Sequence, residues 1–302
     1  MSEHVYRSPF TTWLEKSAVR SMPPSPWIAP GEGRWFPNDS WSVAAHPAVV
    51  ASGRAHLVAA QLLAGYLDFT IQLESTCVGP VSRDVALWRI GAHYGDDVAR
   101  DALRLQCDET FHALLCHELR RHVLDRTELP APRIEEHRFL RQVRLVRERL
   151  APFAPPELVD FCAAVVAETV ITKTLLKDWD EGELRPEVRE FLLRHYKDEL
   201  RHGAFFAQAL RIVWPQWDDC VRHAIEPCWP ELTFAFVAPD AELSLAALLG
   251  AGFSSHEARL IVRECVKRAA DATEIRACAS GTLAALRDAG VVPDRALEVP
   301  VA

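Results

Sequence analysis

The residues best equipped for chemistry lie in the stretch His195-Tyr196-Lys197-Asp198-Glu199-Leu200-Arg201-His202. His195, Glu199 and His202 are spaced by four and then three positions, which on an α-helix stacks their side chains on one face. Two imidazoles and a carboxylate on one face form a metal-ligand set. The same face continues in apolar residues, Val188 and Leu192 before it and Phe206 and Ala209 after it. The polar groups therefore occupy the core seam of their helix. Burying them unpartnered is costly, and a cation is the partner that suits the set.

Three further helical patterns each place a carboxylate in an apolar seam. Glu74 follows Leu63, Leu67 and Ile71; Glu109 lies between Leu105 and His112; Glu168 sits inside an apolar run with Val165 and Val170 on either side. Two of the four helices add a histidine three positions on, giving Glu109 with His112 and Glu199 with His202. One Glu from each of two helices plus Glu-x-x-His from two others is the ligand pattern of carboxylate-bridged di-iron or di-manganese bundles. Four carboxylates would neutralise two divalent cations in a dry interior. A lone Glu-x-x-His means little, since a chain this rich in both residues yields about one by chance. The weight comes from the seam positions and from Asp108 and Asp198, which precede the two glutamates. Each Asp suits the task of holding the free ring nitrogen of a ligating histidine, which fixes its tautomer.

The ladder Glu74, Glu109-x-x-His112, Glu168, His195-x-x-x-Glu199-x-x-His202 resembles the p-aminobenzoate N-oxygenase (AurF-type) family of non-haem di-iron oxygenases, over about residues 47 to 210. The distinguishing mark is His195, a seventh ligand beyond the six of commoner ferritin-like sites. The resemblance implies an all-α, ferritin-like di-iron helical bundle with additional C-terminal helices. It implies two iron ions cycling between Fe2+ and Fe3+, O2 as cosubstrate, and oxygenation of a small-molecule amine to a hydroxylamine, nitroso or nitro product in secondary-metabolite biosynthesis. It also implies that Glu74, Glu109 and His112 hold one iron, and that Glu168, His195, Glu199 and His202 hold the other, with Glu109 and Glu199 as bridges. Electrons must come from outside, because the chain has no G-x-G-x-x-G and no cysteine cluster for an iron–sulfur centre. A separate reductase or other external electron donor is the expected partner. The alternatives are a C–H hydroxylase or desaturase using iron or Mn/Fe, and a non-catalytic metal-binding ferritin-like protein. Thr172, one turn from Glu168, and Phe205 and Phe206, beside His202, are the candidates for lining a substrate pocket. His117 and His122 share the Glu109 helix but fall off its seam.

The elements that must position these groups are long helices. Apolar periodicity predicts one from Pro47 to about Val78, stopped or bent at Gly79-Pro80, and a short one from Ser82 to Ile90. Others are expected from Gly95 to about Asp125, from Arg133 to Leu150, from Glu157 to Lys177, and from Pro186 onward. Ser254 to Glu257 reads as a capping box ahead of one or two helices ending near Asp288. Residues 1–45 form a Pro- and Trp-rich arm, with Trp13, Trp27, Trp35 and Trp41, expected to pack on the body. Residues 46–302 are expected to form a single domain, with the ligand core at about 60–210. A net charge of -8 argues against nucleic-acid or anionic-membrane binding. No signal peptide and no apolar run of membrane-spanning length is expected, and the eight cysteines form no C-x-x-C pair. The expectation is a reduced, cytoplasmic protein, with a homodimer left open.

Overall fold

The computed structural model describes residues 5–21, 31–37, 42–179, 183–268 and 276–291, without the side chains of 172–179 and 268. Trp27, Trp41 and the side chain of Thr172 therefore lie outside the described residues. Every regular element among the described residues is helical. The one strand-like pairing among them is an isolated parallel bridge between Arg34 and Leu184.

In chain order the helices are α1 (Trp13–Lys16), α2 (Ala18–Ser21), α3 (Pro47–Ala51), α4 (Ala55–Leu73), α5 (Gly79–Ala86), α6 (Asp96–Thr127) and α7 (Arg138–Leu150). They continue as α8 (Pro156–Trp179), α9 (Pro186–Val213), α10 (Asp219–Ile225), α11 (Cys228–Val237), α12 (Ala241–Gly250), α13 (Ser255–Arg268) and α14 (Ser280–Asp288). The bundle core is α4, α6, α8 and α9, with α4 packed on α6 and α8 on α9.

Two apolar clusters cap this core from opposite ends. One holds Leu73, Leu105, Val165 and Phe206; the other holds Leu63, Leu67, Leu119 and Leu192. Along α4 and α9 the chain passes from the second cluster to the first, whereas along α6 and α8 it passes from the first to the second. The pairs α4/α6 and α8/α9 thus run in opposite directions. Glu109 and Glu199 fall between the clusters, and Glu74 and Glu168 lie among residues of the first. Apolar packing around these carboxylates raises the cost of any uncompensated charge there.

The sequence leaves Gly79-Pro80 as a stop or a bend, and the helix does not stop there. The chain widens into one π-helical turn, Glu74–Val78, and passes straight into α5. Proline cannot donate an N–H, and its ring collides with the carbonyl four residues back in an α-helix. The wider turn removes that collision: the Gly79 N–H bonds back to the Glu74 carbonyl and Pro80 becomes a first-turn residue of α5. Only glycine fits there, since a Cβ on Gly79 would lie 2.7 Å from the Glu74 carbonyl oxygen. The π turn, a feature common at functional sites, therefore starts at one of the candidate ligands.

Other boundaries shift for local reasons. Helix α7 starts at Arg138 rather than Arg133, because buried His137 turns out of helical geometry to meet Asp68 at 3.2 Å. Ser254 and Glu257 form the expected reciprocal capping box, with 3.0 and 3.3 Å bonds. Helix α14 packs on α8 through a 2.7 Å hydrogen bond between Thr169 and Thr282, next to Glu168. The expectation that no apolar stretch reaches membrane-spanning length needs correction: residues 219–250 do so by length and composition. Here they are split into α10, α11 and α12, with Pro227 and Pro239 at the breaks and Trp229 and Leu232 buried.

Candidate metal centre

Each long helix delivers its groups to the same region. Glu74 comes from the π turn, Glu109 and His112 from α6, Glu168 from α8, and His195, Glu199 and His202 from α9; all seven are buried. The Oε1 atom of Glu199 is the centre of the cluster. It lies 2.9 Å from His195 Nε2, 3.4 Å from His112 Nδ1 and 3.4 Å from His202 Nδ1. Glu109 spans the cluster, with Oε1 2.8 Å from His202 Nδ1 and Oε2 4.0 Å from His112 Nδ1. Glu168 Oε2 is 3.6 Å from His202 Nδ1.

These donor atoms form two overlapping groups. Glu74, His112, His195 and Glu199 make one; Glu109, His112, Glu199 and His202 make the other. In each group the ligand atoms lie within 4.8 Å of one another. Every one of the seven residues keeps at least one buried oxygen or nitrogen with no hydrogen-bond partner. Imidazole and carboxylate atoms that approach this closely, without the direction of a hydrogen bond, converge on common points rather than pairing with each other. Nitrogen and oxygen donors in this number suit a pair of first-row divalent cations. The donor set therefore fits a dimetal centre.

The geometry corrects one assignment. His195 does not group with Glu168: its Nε2 is 3.2 Å from Glu74 Oε1, and its ring lies 4.4 Å from that of His112. The reason is helix direction. Because α9 runs opposite to α6, the residue one turn before Glu199 meets the residue just after Glu109. His195 thus joins Glu74 and His112, and His202 joins Glu168.

Electrostatics reflect the crowding. Burial raises the Glu74 carboxyl to about 7, against the pull of His195. Burial also raises Glu168 well above the usual carboxylate range, and the charges of Glu199 and Glu109 add to it. Burial alone would lower His112, but Glu199, Glu74 and Glu109 outweigh it and hold the imidazole at about 9. Glu199 goes the other way: despite burial, the three surrounding histidines keep it well below its ordinary value.

The distal nitrogens of two histidines are held by carboxylates, and the pairing is crossed. His112 Nε2 lies 3.1 Å from Asp198 Oδ2, and His202 Nε2 lies 3.2 Å from Asp108 Oδ2. Each Asp serves the histidine of the other motif. The aspartates are themselves held. Trp13 Nε1 donates to both oxygens of Asp108, at 2.9 Å each. The Ala18 amide donates to Asp198 Oδ2 at 3.0 Å, and the Arg201 guanidinium pairs with Asp198 Oδ1. Phe10 stacks on His202, with ring centroids 6.0 Å apart. Arg201, three positions after Asp198, was findable from helical spacing; Trp13 and Ala18 carry no local signal.

Phe205 and Phe206 are fully buried. They are packed solid, Phe205 against Tyr6 and Phe10, and Phe206 against Phe161. Sequence reasoning missed an opening that reaches two of the carboxylates. A cavity of about 280 Å³ between α5 and α6 is lined by Glu74 and Glu109, with Arg83, Gln106, Thr110 and Ala113 also facing it. His117 is exposed and His122 faces Glu187, both away from the cluster.

A helical bundle with a buried carboxylate–histidine cluster is the class that fold and site define. The chain belongs to the p-aminobenzoate N-oxygenase family: residues 3–290 match the family described as p-aminobenzoate N-oxygenase AurF. The match extends well beyond the 47–210 stretch that carries the sequence resemblance, and takes in both the arm and the C-terminal helices. Among curated proteins, nothing matches the chain.

Proposed function

We propose that this protein is an O2-dependent di-iron N-oxygenase. It would convert an amine to a hydroxylamine, nitroso or nitro product in secondary metabolism, acting in the cytoplasm with electrons from a separate donor. The observation that carries this reading is the seven-residue cluster, whose buried donor atoms lack partners, in a chain of the N-oxygenase family. Two bound irons would supply the reduction of O2 and transfer of an oxygen atom to nitrogen.

The chain's own residues do the rest. Glu74, His112 and His195 would hold one ion, and Glu168 and His202 the other, with Glu109 and Glu199 between them. The neutral His195 imidazole adds a donor without adding negative charge, which tunes the metal through ligand number and type. Asp108 and Asp198 keep the His202 and His112 protons on Nε2, leaving Nδ1 free to ligate. The cavity at Glu74 and Glu109 gives an amine access to the centre from the face between α5 and α6.

The test loads purified protein with Fe(II) and a chemical reductant, then supplies a panel of amines, p-aminobenzoate included, under labelled O2. Mass spectrometry should find the label on nitrogen, and Glu109→Ala should abolish it. Label found only on carbon would replace this reading with the C–H hydroxylase alternative. A protein that assembles into a large cage and oxidises no amine would replace it with metal storage.

A further inference from the structure

The two aspartates behind the ligand histidines are both gripped by one short segment of the N-terminal arm. Trp13 gives its indole N–H to both oxygens of Asp108, and five residues on the Ala18 amide gives its N–H to the Asp198 oxygen that faces His112. Each contact spans a large sequence separation, 95 positions in the first case and 180 in the second. The arm also lays Phe10 against the His202 ring and anchors itself through Tyr6, whose hydroxyl donates to Asp101 at 2.8 Å. The chain through to the cluster is continuous: Trp13 to Asp108 to His202, and Ala18 to Asp198 to His112.

From this we infer that Trp13 is a positioning residue of the metal centre. Its N–H fixes the plane of the Asp108 carboxylate, and Asp108 then fixes the orientation and proton position of His202. A carboxylate free to rotate would offer the histidine a poorer acceptor, and groups behind a ligand typically change metal affinity by about 10–100-fold when removed. Trp13 stands one step further out, so the expected loss is nearer the low end of that range. Because coupling is reciprocal, metal binding tightens the arm as much as the arm tightens the metal.

The test uses full-length protein and does not require turnover. Cobalt(II) is the probe, because its visible ligand-field bands report ligand geometry directly. Trp13→Phe removes the N–H and keeps an aromatic ring; Asp108→Asn, the double variant and Tyr6→Phe complete the set. Trp13→Phe should weaken cobalt binding about tenfold and shift the bands. It should have little further effect in the Asp108→Asn background, since a residue acting through Asp108 loses its influence once Asp108 is changed. Tyr6→Phe removes a hydrogen bond of the arm that reaches neither Asp108 nor Asp198, and should leave the bands in place.

Wild-type affinity and bands in Trp13→Phe would overturn the inference, as would equal effects in both backgrounds or an equal shift from Tyr6→Phe. Loss of helical signal in metal-free Trp13→Phe would also count against it, because the N–H would then be serving the fold. The inference rests on the metal-binding reading of the cluster. Failure of the wild-type protein to bind cobalt at all would sink that reading, a result distinct from a silent Trp13→Phe substitution.

Discussion

His112 and Asp198 lie 86 positions apart in the chain, yet the imidazole Nε2 and the carboxylate Oδ2 are 3.1 Å from each other. The matching contact, His202 to Asp108, runs the other way between the same two helices. Asp198→Asn should therefore disturb His112 rather than His202, and Asp108→Asn the reverse. In the metal-free protein, nitrogen-15 spectra of labelled histidine should show tautomer signals changing in that crossed sense. Each variant should lose about 10–100-fold in metal affinity by chelator competition. A disturbance confined to the histidine of the same motif would refute the crossed arrangement.

Metal uptake should depend steeply on pH. In the metal-free chain Glu74 is raised to about 7 and His112 to about 9. A cation needs both groups deprotonated, so binding expels protons and affinity rises with pH. Each proton displaced contributes up to about tenfold per pH unit. The rise should be steepest below about 7, where both groups must lose a proton, gentler between about 7 and 9, where only His112 must, and flat above. Manganese(II) titrations followed by the magnetic-resonance signal of the free ion would check this; an affinity independent of pH would contradict it.

Gly79→Ala should damage both the fold and the site. The added Cβ would meet the Glu74 carbonyl oxygen at 2.7 Å, so the π turn must shift. Forced overpacking of this kind typically costs about 1–3 kcal/mol. Urea denaturation should show that loss, and metal affinity should fall with it because Glu74 moves. The conservative control Ala113→Ser should change neither.

Filling the cavity should separate access from metal binding. Ala113 lines the opening that reaches Glu74 and Glu109 but is not itself a ligand. Ala113→Phe should lower kcat/KM for the amine at least tenfold, corresponding to about 1.4 kcal/mol, while iron content stays at the wild-type level. Undiminished turnover would show that substrate approaches by another route.

Much of this was legible in the sequence because helices obey a fixed period. Glu168 in its apolar run, or His112 three positions after Glu109, can only face the seam, and the seam can only face the core. What spacing cannot convey is how far one helix is slid along another. The family resemblance groups His195 with Glu168, whereas the helices set it beside Glu74 and His112. The π turn escaped notice for a related reason: Gly79-Pro80 signals a stop or a bend, and whether a chain stops, bends or widens depends on the packing around it. Trp13 could not be found by pattern at all, since its partner Asp108 is distant in sequence and lies on another element.

The crossed aspartates have a consequence for the portability of the site. Asp108-Glu109-x-x-His112 and Asp198-Glu199-x-x-His202 look like two copies of a self-contained module, each with its own acceptor for its own histidine. They are instead two halves, each supplying the carboxylate for the other's histidine. Transplanting one of them into a foreign bundle would carry a histidine without the carboxylate that orients it. The smallest unit that can be copied, duplicated or redesigned is the facing pair of helices at their present height.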